Sequence, residues 1–137
     1  MSKFVVTSLI AGLLLSGCAV REANLRILDN QRVLTSTEKT ALVAHVRETF
    51  FDPYSIRDIE VSTAAPSMGI DGSTTFNVCL KLNGKNRLGG YVGRSATIYY
   101  FNPAGAIVHS SDIDYGFCSN PKLRYSQFPE LEKLTTK

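Results

Sequence analysis

The chain has two histidines, His45 and His109, and only the second stands among residues able to do acid–base or nucleophilic chemistry: Ser110, Ser111, Asp112 and Asp114. A Ser-His-Asp relay needs its three side chains to converge. Neighbours in a strand alternate between faces, so His109 and Ser111 would share one face while Asp112 and Asp114 share the other. A local triad is not expected, and a polar, solvated strand face accounts for the run. Asp112 and Asp114 together could hold a divalent cation or work as an acid–base pair. Edge-strand charges that discourage self-pairing explain them more simply. Gly89-Gly90-Tyr91-Val92-Gly93 invites comparison with a phosphate cradle, but such glycines follow a strand and open a helix. Here β-type sequence comes next, so backbone conformation is the expected reason for them. Asp71-Gly72-Ser73 lacks the alternating acids of a calcium loop. Neither Cys79 nor Cys118 has a second Cys or a His at ligand spacing. No catalytic set, metal site or cofactor is expected.

The strongest chemical signal lies at the other end of the chain. Met1-Ser2-Lys3 carries one positive charge and is followed by an apolar run from Phe4 to Leu15, broken only by Thr7-Ser8 and the small residues Ala11 and Gly12. That is a charged start and an apolar middle, as in a secretory leader. The run is shorter than the roughly 20 apolar residues of a bilayer span, and Arg21, Glu22 and Arg26 follow closely. The four residues that end it, Leu15-Ser16-Gly17-Cys18, resemble the lipobox of bacterial lipoproteins. The resemblance implies a signal peptide over 1–17, cleavage between Gly17 and Cys18, a diacylglycerol thioether on Cys18 and acylation of the new amino terminus. Each buried methylene contributes ~0.8 kcal/mol, and two or more chains anchor stably. In lipoproteins of this kind the residue after the Cys sorts between membranes, and Ala19 in place of Asp implies the outer membrane; the expected location is its periplasmic face.

Without the leader about 120 residues remain, room for one domain with a modest core. The formal charge is +3 over the whole chain and falls to about +2 when Lys3 leaves with the leader. Bases are scattered among acids, so no nucleic-acid footprint shows. With Cys18 assigned to lipid, Cys79 and Cys118 are an even pair in an exported protein. Joined, they would close a loop of about 40 residues, for which chain entropy gives on the order of 4 kcal/mol. The alternative is two separate buried thiols.

The elements follow from the period of the apolar residues. Residues 18–34 read as a lipidated start and tether whose later part lies against a single domain over 35–137. Thr35-Ser36-Thr37-Glu38 is a capping box, and Leu42, Val43, Val46 and Phe50 form one helical stripe that Asp52-Pro53 ends. From Ile56 to Thr63 the period is two, a half-buried strand. Ala64 to Thr74 reads as a loop, and Thr75 to Leu82 as the clearest strand, with Phe76, Val78, Leu80 and Leu82 on one face and Cys79 on the other. Asn83-Gly84 reads as its end and Lys85 to Arg94 as a bulge or tight corner. Strands over Ser95–Phe101 and Ala106–Tyr115 follow, with a short terminal helix after Pro129. The class is α+β: an N-terminal helix packed on an antiparallel sheet of about four strands.

The segment from Val78 to Gly93, with Asp52-Pro53-Tyr54-Ser55 upstream, resembles a pattern in small, functionally uncharacterised proteobacterial lipoproteins: Asp-Pro-x-Ser after a helix, then Val-Cys, Asn, Lys-Asn and Gly-Gly-Tyr-x-Gly. Gly84 stands where Ala is expected. The resemblance implies a shared fold and imports no activity. Tyr91, Tyr99, Tyr100, Phe101, Tyr115, Phe117 and Tyr125 crowd the second half, and Tyr99 and Phe101 cannot share Tyr100's face. Aromatics beside Arg87, Arg94 and Arg124 have the composition of a protein-recognition patch, or they fill both faces of a thin core. The reading is a non-enzymatic lipoprotein held in the outer membrane by its Cys18 acyl chains, contacting another envelope protein through Arg87, Gly89, Gly90, Tyr91 and Gly93. The alternative is an inhibitor of a cell-wall hydrolase or protease, using Asn83 to Gly93 as its loop. A third class, an enzyme acting on peptidoglycan or lipid, would need a concave site built around His109 or the Asp112/Asp114 pair.

Overall fold

The computed structural model describes residues 27–69 and 71–136. The leader, the lipobox and Cys18 lie outside them. Helix α1, Ser36–Thr49, begins as its sequence dictates: the Glu38 N–H donates to Thr35 Oγ1 at 3.2 Å and the Thr35 N–H donates to Glu38 Oε2 at 2.8 Å. Leu42 and Val46, one turn apart, are its fully buried residues on the apolar stripe. Phe50, with ψ 142°, leaves the helix ahead of Asp52-Pro53.

Six strands form one antiparallel sheet: β1 Arg57–Ser62, β2 Ala65–Met68, β3 Thr74–Lys85, β4 Tyr91–Phe101, β5 Ile107–Ser111 and β6 Tyr125–Gln127. The order is β5-β4-β3-β1-β6, with β2 also paired to β3. A short helix α2, Pro129–Glu132, follows, with Pro at its start. The α+β class holds, but the sheet is wider than about four strands. Ala65–Met68, inside the stretch expected to be a loop, pairs with residues 74–77 of β3. Tyr125–Gln127, three residues with no alternation to read, pairs with β1. The helix also has a helical stretch before it, at residues 27–29.

Strand β3 is buried on both faces, and that decides the layers. Val78, Leu80 and Leu82 meet Leu42 and Val46 of α1, with Tyr99, Phe101, Phe128 and Leu131, in one core. Cys79 points the other way, into a second core with Leu28, Ala65, Ile98, Cys118 and Leu123. Among the described residues that second face is covered by the irregular chain from Asp112 to Arg124 and by residues 27–34, of which only the first three are helical. Cys79 and Cys118 are joined, with Sγ–Sγ 2.01 Å and both residues inaccessible. Tyr125 donates its hydroxyl to the Cys118 carbonyl at 2.6 Å, and Lys81 Nζ lies 3.8 Å above the Tyr125 ring. Gln31 ties the two covering segments, donating from Nε2 to the Lys122 carbonyl (2.9 Å) and accepting the Arg124 N–H (3.1 Å). Tyr99 and Phe101 lie on the helix side and Tyr100 on the disulfide side, as alternation requires.

The capping carboxylate does more than cap. Glu38 is 1% exposed and receives both terminal nitrogens of Arg32, at 2.9 and 2.7 Å. Arg32 lies 4.2 Å over the Phe76 ring, and its backbone pairs with Ala64 in both directions. The pair therefore fastens residues 27–34 to the helix start and to the sheet.

Burial alone pushes the Glu38 carboxyl up, but the Arg32 and Thr35 hydrogen bonds and the Arg32 charge outweigh it and hold it below its ordinary value of 4.5. A depressed folded-state pKa stabilises above the unfolded carboxylate range, and the contribution is lost as pH falls through the folded value. Glu38→Gln should therefore lower stability at neutral pH by about 2 kcal/mol. In urea unfolding, the gap between the parent and the variant should close below about pH 4; a gap constant with pH would show that the pair's charge is not what stabilises. Cys79→Ala/Cys118→Ala should cost about 2–5 kcal/mol, read as a lower melting temperature, and an unchanged one would show the loop constraint to be unimportant.

Candidate functional site

The sequence suggests that β3 stops at Asn83-Gly84 and that β4 starts at Ser95. The structure carries both further, as one long hairpin over Thr74–Lys85 and Tyr91–Phe101. Asn83 does not break the strand because its side chain is buried in the pairing, Oδ1 accepting the Gly93 N–H at 3.1 Å. Opposite residues run Asn83↔Arg94 and then Lys85↔Tyr91, which leaves one extra residue on β4. That is a β-bulge, and Gly93, at φ +96°, supplies the left-handed conformation it requires.

The turn is held by Asn86. Its N–H donates to the Gly90 carbonyl (2.9 Å), its carbonyl accepts the Gly89 N–H (3.0 Å), and its Oδ1 accepts the N–H groups of Leu88 (3.0 Å) and Gly90 (3.1 Å). Gly89, at φ +82°, closes it. Below the turn, the Tyr91 hydroxyl donates to the Ser55 carbonyl at 2.8 Å. The Arg57 guanidinium lies 3.7 Å over the Tyr91 ring, and Lys85 Nζ is 4.0 Å from Asp52 Oδ2. Asp52-Pro53-Tyr54-Ser55 is itself a turn, with the Ser55 N–H and Oγ both donating to the Asp52 carbonyl. The two separated stretches that carry the lipoprotein resemblance are thus brought together, one docking the other.

The expected contact residues divide into two groups. Gly89 and Gly93 set backbone conformation, Gly90 completes the turn, and Tyr91 clamps the hairpin to residues 52–55 while staying partly exposed. Arg87 is exposed and makes no ion pair or hydrogen bond among the described residues, whereas Lys85, Arg57 and Arg94 are each beside a carboxylate. Leu88, next to it, is 94% exposed. Phe51 and Tyr54, in the docked turn, and Val92 on β4 add exposed apolar surface. Leu88 was not among the residues singled out by composition, and only its place at the tip of a fixed turn marks it. Ser55 sits in a motif legible in the sequence, but its contact with Tyr91 depends on strands 36 residues away in the chain.

The acid–base candidates are spread out. Strand β5 ends at Ser111, so Asp112 and Asp114 do not share a strand face. Asp112 accepts the Thr97 hydroxyl at 2.7 Å, and Asp114 accepts the N–H groups of Gly116 (3.0 Å) and Cys118 (2.9 Å), shaping the turn that delivers Cys118 to the disulfide. His109 lies beside Tyr100, ring centroids 5.4 Å apart, and His45 meets the Tyr99 ring edge-on at 5.4 Å. Among the described residues no group of three or more His, Cys, Asp or Glu side chains gathers as a metal site. A groove of about 470 Å³ runs along α1, with the Lys39–Glu130 ion pair (2.8 Å) at its wall. That lysine's hydrogen bond holds the Glu130 carboxyl below its ordinary range. Among the described residues these polar groups are engaged in separate contacts.

Gly93→Ala would place a Cβ in a left-handed conformation, at a cost of about 1–2 kcal/mol. Tyr91→Phe removes one hydrogen bond, worth about 1 kcal/mol. Both should leave the core intact while speeding amide hydrogen exchange over residues 86–93. Exchange unchanged there in both variants would show that these groups do not hold the hairpin. Comparison with models of known families, with curated proteins and with solved structures returns no match for this chain.

Proposed function

We propose that this chain is a lipid-anchored envelope lipoprotein whose folded domain works by binding another protein, with the end of the β3–β4 hairpin as its contact element. The Leu15-Ser16-Gly17-Cys18 lipobox after a charged and apolar leader supports the anchor, and Ala19 supports the outer membrane. The Cys79–Cys118 disulfide fits an oxidising compartment such as the periplasm.

One observation carries the contact element: the hairpin's holding groups, Asn83, Asn86, Gly89, Tyr91 and Gly93, are spent on its shape, and the residues they present, Arg87 and Leu88, have no internal task. A surface ordered before binding loses little freedom on association. Ile27, where the described chain begins, lines the same cleft as Asn77 on β3. Eight strand steps separate Asn77 from Lys85 at the base of the turn, about 26 Å at ~3.3 Å per residue. The tip therefore stands well away from the point where the tether meets the domain. Confinement to a membrane raises the local concentration of other envelope proteins, so a small contact suffices. The same rigid, protruding tip favours one second reading, an inhibitor that inserts Arg87-Leu88 into the cleft of a cell-wall hydrolase or protease.

Cys18→Ser should move the product out of the membrane fraction, and retention there would remove the anchor. For the contact element, a photo-crosslinking residue in place of Leu88 in the full-length protein, irradiated in its native envelope, should give a discrete adduct that Arg87→Glu abolishes. An adduct indifferent to Arg87→Glu, or none at all, would rule the tip out. Loss of inhibition of a purified hydrolase or protease on Arg87→Glu would select the inhibitor reading.

A further inference from the structure

We infer that the cleft lined by Asn77 and Phe117, on the disulfide side of the sheet, binds one pyranose unit of an uncharged glycan, with Tyr115 stacked on the sugar ring. The cleft holds about 270 Å³, and its polar residues are Ser67, Asn77, Asp114 and Asn120. All four keep hydrogen-bonding capacity that the fold does not use. Asn120 Oδ1 accepts the Lys122 N–H at 3.0 Å, which fixes the carboxamide and leaves Nδ2 with no acceptor among the described residues. Among the same residues the buried Asn77 Oδ1 has no donor, and the Ser67 hydroxyl makes no hydrogen bond. Asp114 is held by the N–H groups of Gly116 and Cys118, one on each oxygen, so each oxygen retains a lone pair.

These side chains match one ligand chemistry. A sugar hydroxyl both donates and accepts, so neighbouring hydroxyls need donors and acceptors side by side, which two carboxamides, a carboxylate and a hydroxyl supply. Among the described lining residues Asp114 is the one formal charge, and no Lys or Arg is there to hold a phosphate or a carboxylate. Phe117 and Tyr115 add apolar surface, and an aromatic face suits the C–H side of a pyranose ring. Tyr115 is the most telling of these residues. It is 96% exposed, lies outside both cores, and sits at φ +47°, a left-handed conformation that is costly for a residue with a Cβ. Gly116 follows at φ +82°, and the Phe117 N–H closes the turn on the Asp114 carbonyl at 2.8 Å. Glycine at 115 would make the same turn without that cost. A strained aromatic that the cores do not need has its use at the surface, on the rim of this cleft.

The test uses the full-length protein, labelled for amide NMR and held in a detergent without a sugar headgroup. It is titrated with two uncharged saccharides, chitotriose and maltotriose. The amide signals of Ser67, Asn77 and residues 114–120 should shift saturably with at least one of them; a response to chitotriose alone would identify an acetamido sugar, and a response to maltotriose alone a plain hexose. Tyr115→Gly should weaken binding by about tenfold, the size of one lost aromatic contact, and melt no lower than the parent. Tyr115→Phe, which keeps the ring, should bind like the parent. Val92→Lys, on the hairpin, should also bind like the parent, which separates this cleft from the contact element proposed above. No saturable shift with either saccharide, shifts confined to other residues, a Tyr115→Gly protein that binds like the parent or melts well below it, or loss of binding in Tyr115→Phe or Val92→Lys would each overturn the proposal.

Discussion

The constraint on which the rest of the structure depends is that β3 carries apolar side chains on both faces, so both faces of the sheet must be covered. On one side the cover is conventional: Leu42 and Val46 of α1 sit over Val78, Leu80 and Leu82. On the other side the described cover is mostly irregular chain with one helical turn at residues 27–29, and irregular chain has little regular apolar surface to give. The Cys79–Cys118 bond compensates, because it fixes that chain to the middle of β3 with a covalent contact that is itself part of the core. Removing the segment's freedom in the unfolded state does work that a larger hydrophobic interface would otherwise have to do.

The same logic explains several polar groups around that cover. Asp114 shapes the turn before Cys118, Tyr125 caps the Cys118 carbonyl, and Gln31 joins the 27–34 segment to residues 122–124. Each satisfies backbone groups that irregular chain leaves open when it is laid on a sheet. Glu38 plays the equivalent part on the helix side, joining the helix start, Arg32 and, through Arg32, the Phe76 ring. Among the described residues these polar groups are spent on holding cover in place.

A strand pair anchored on both faces can be extended beyond the core without losing its shape. The β3–β4 hairpin uses this: Phe50 comes within 3.7 Å of where a Gly84 side chain would start, and Tyr91 rests on the 52–55 turn. The lever between core and tip is stiffened by groups whose effects are individually about 1 kcal/mol or less. Their sum is an ordered tip.

Much of this was legible without coordinates. The capping box, the helix stripe, the opposite facing of Cys79 relative to Val78 and Leu80, and the pairing of the two cysteines follow from local periods and from cysteine arithmetic, since each depends on near neighbours or on a count. Residues 65–68 and 125–127 gave no such signal, because a four-residue strand containing Pro66 and a three-residue strand are too short to display a period; pairing with β3 and β1 makes them strands. Asn83-Gly84 was misleading for a related reason: a turn dipeptide stays in a strand when its Asn is buried against a bulge across the ladder. By itself the sequence determined the residue types that could be anchored, capped and cross-linked. Only the tertiary structure decided that Asp112 accepts the Thr97 hydroxyl of β4 while Asp114 shapes a turn, that Tyr91 is a clamp, and that Arg87 and Leu88 are left over at the tip, because those roles depend on how the strands are brought together.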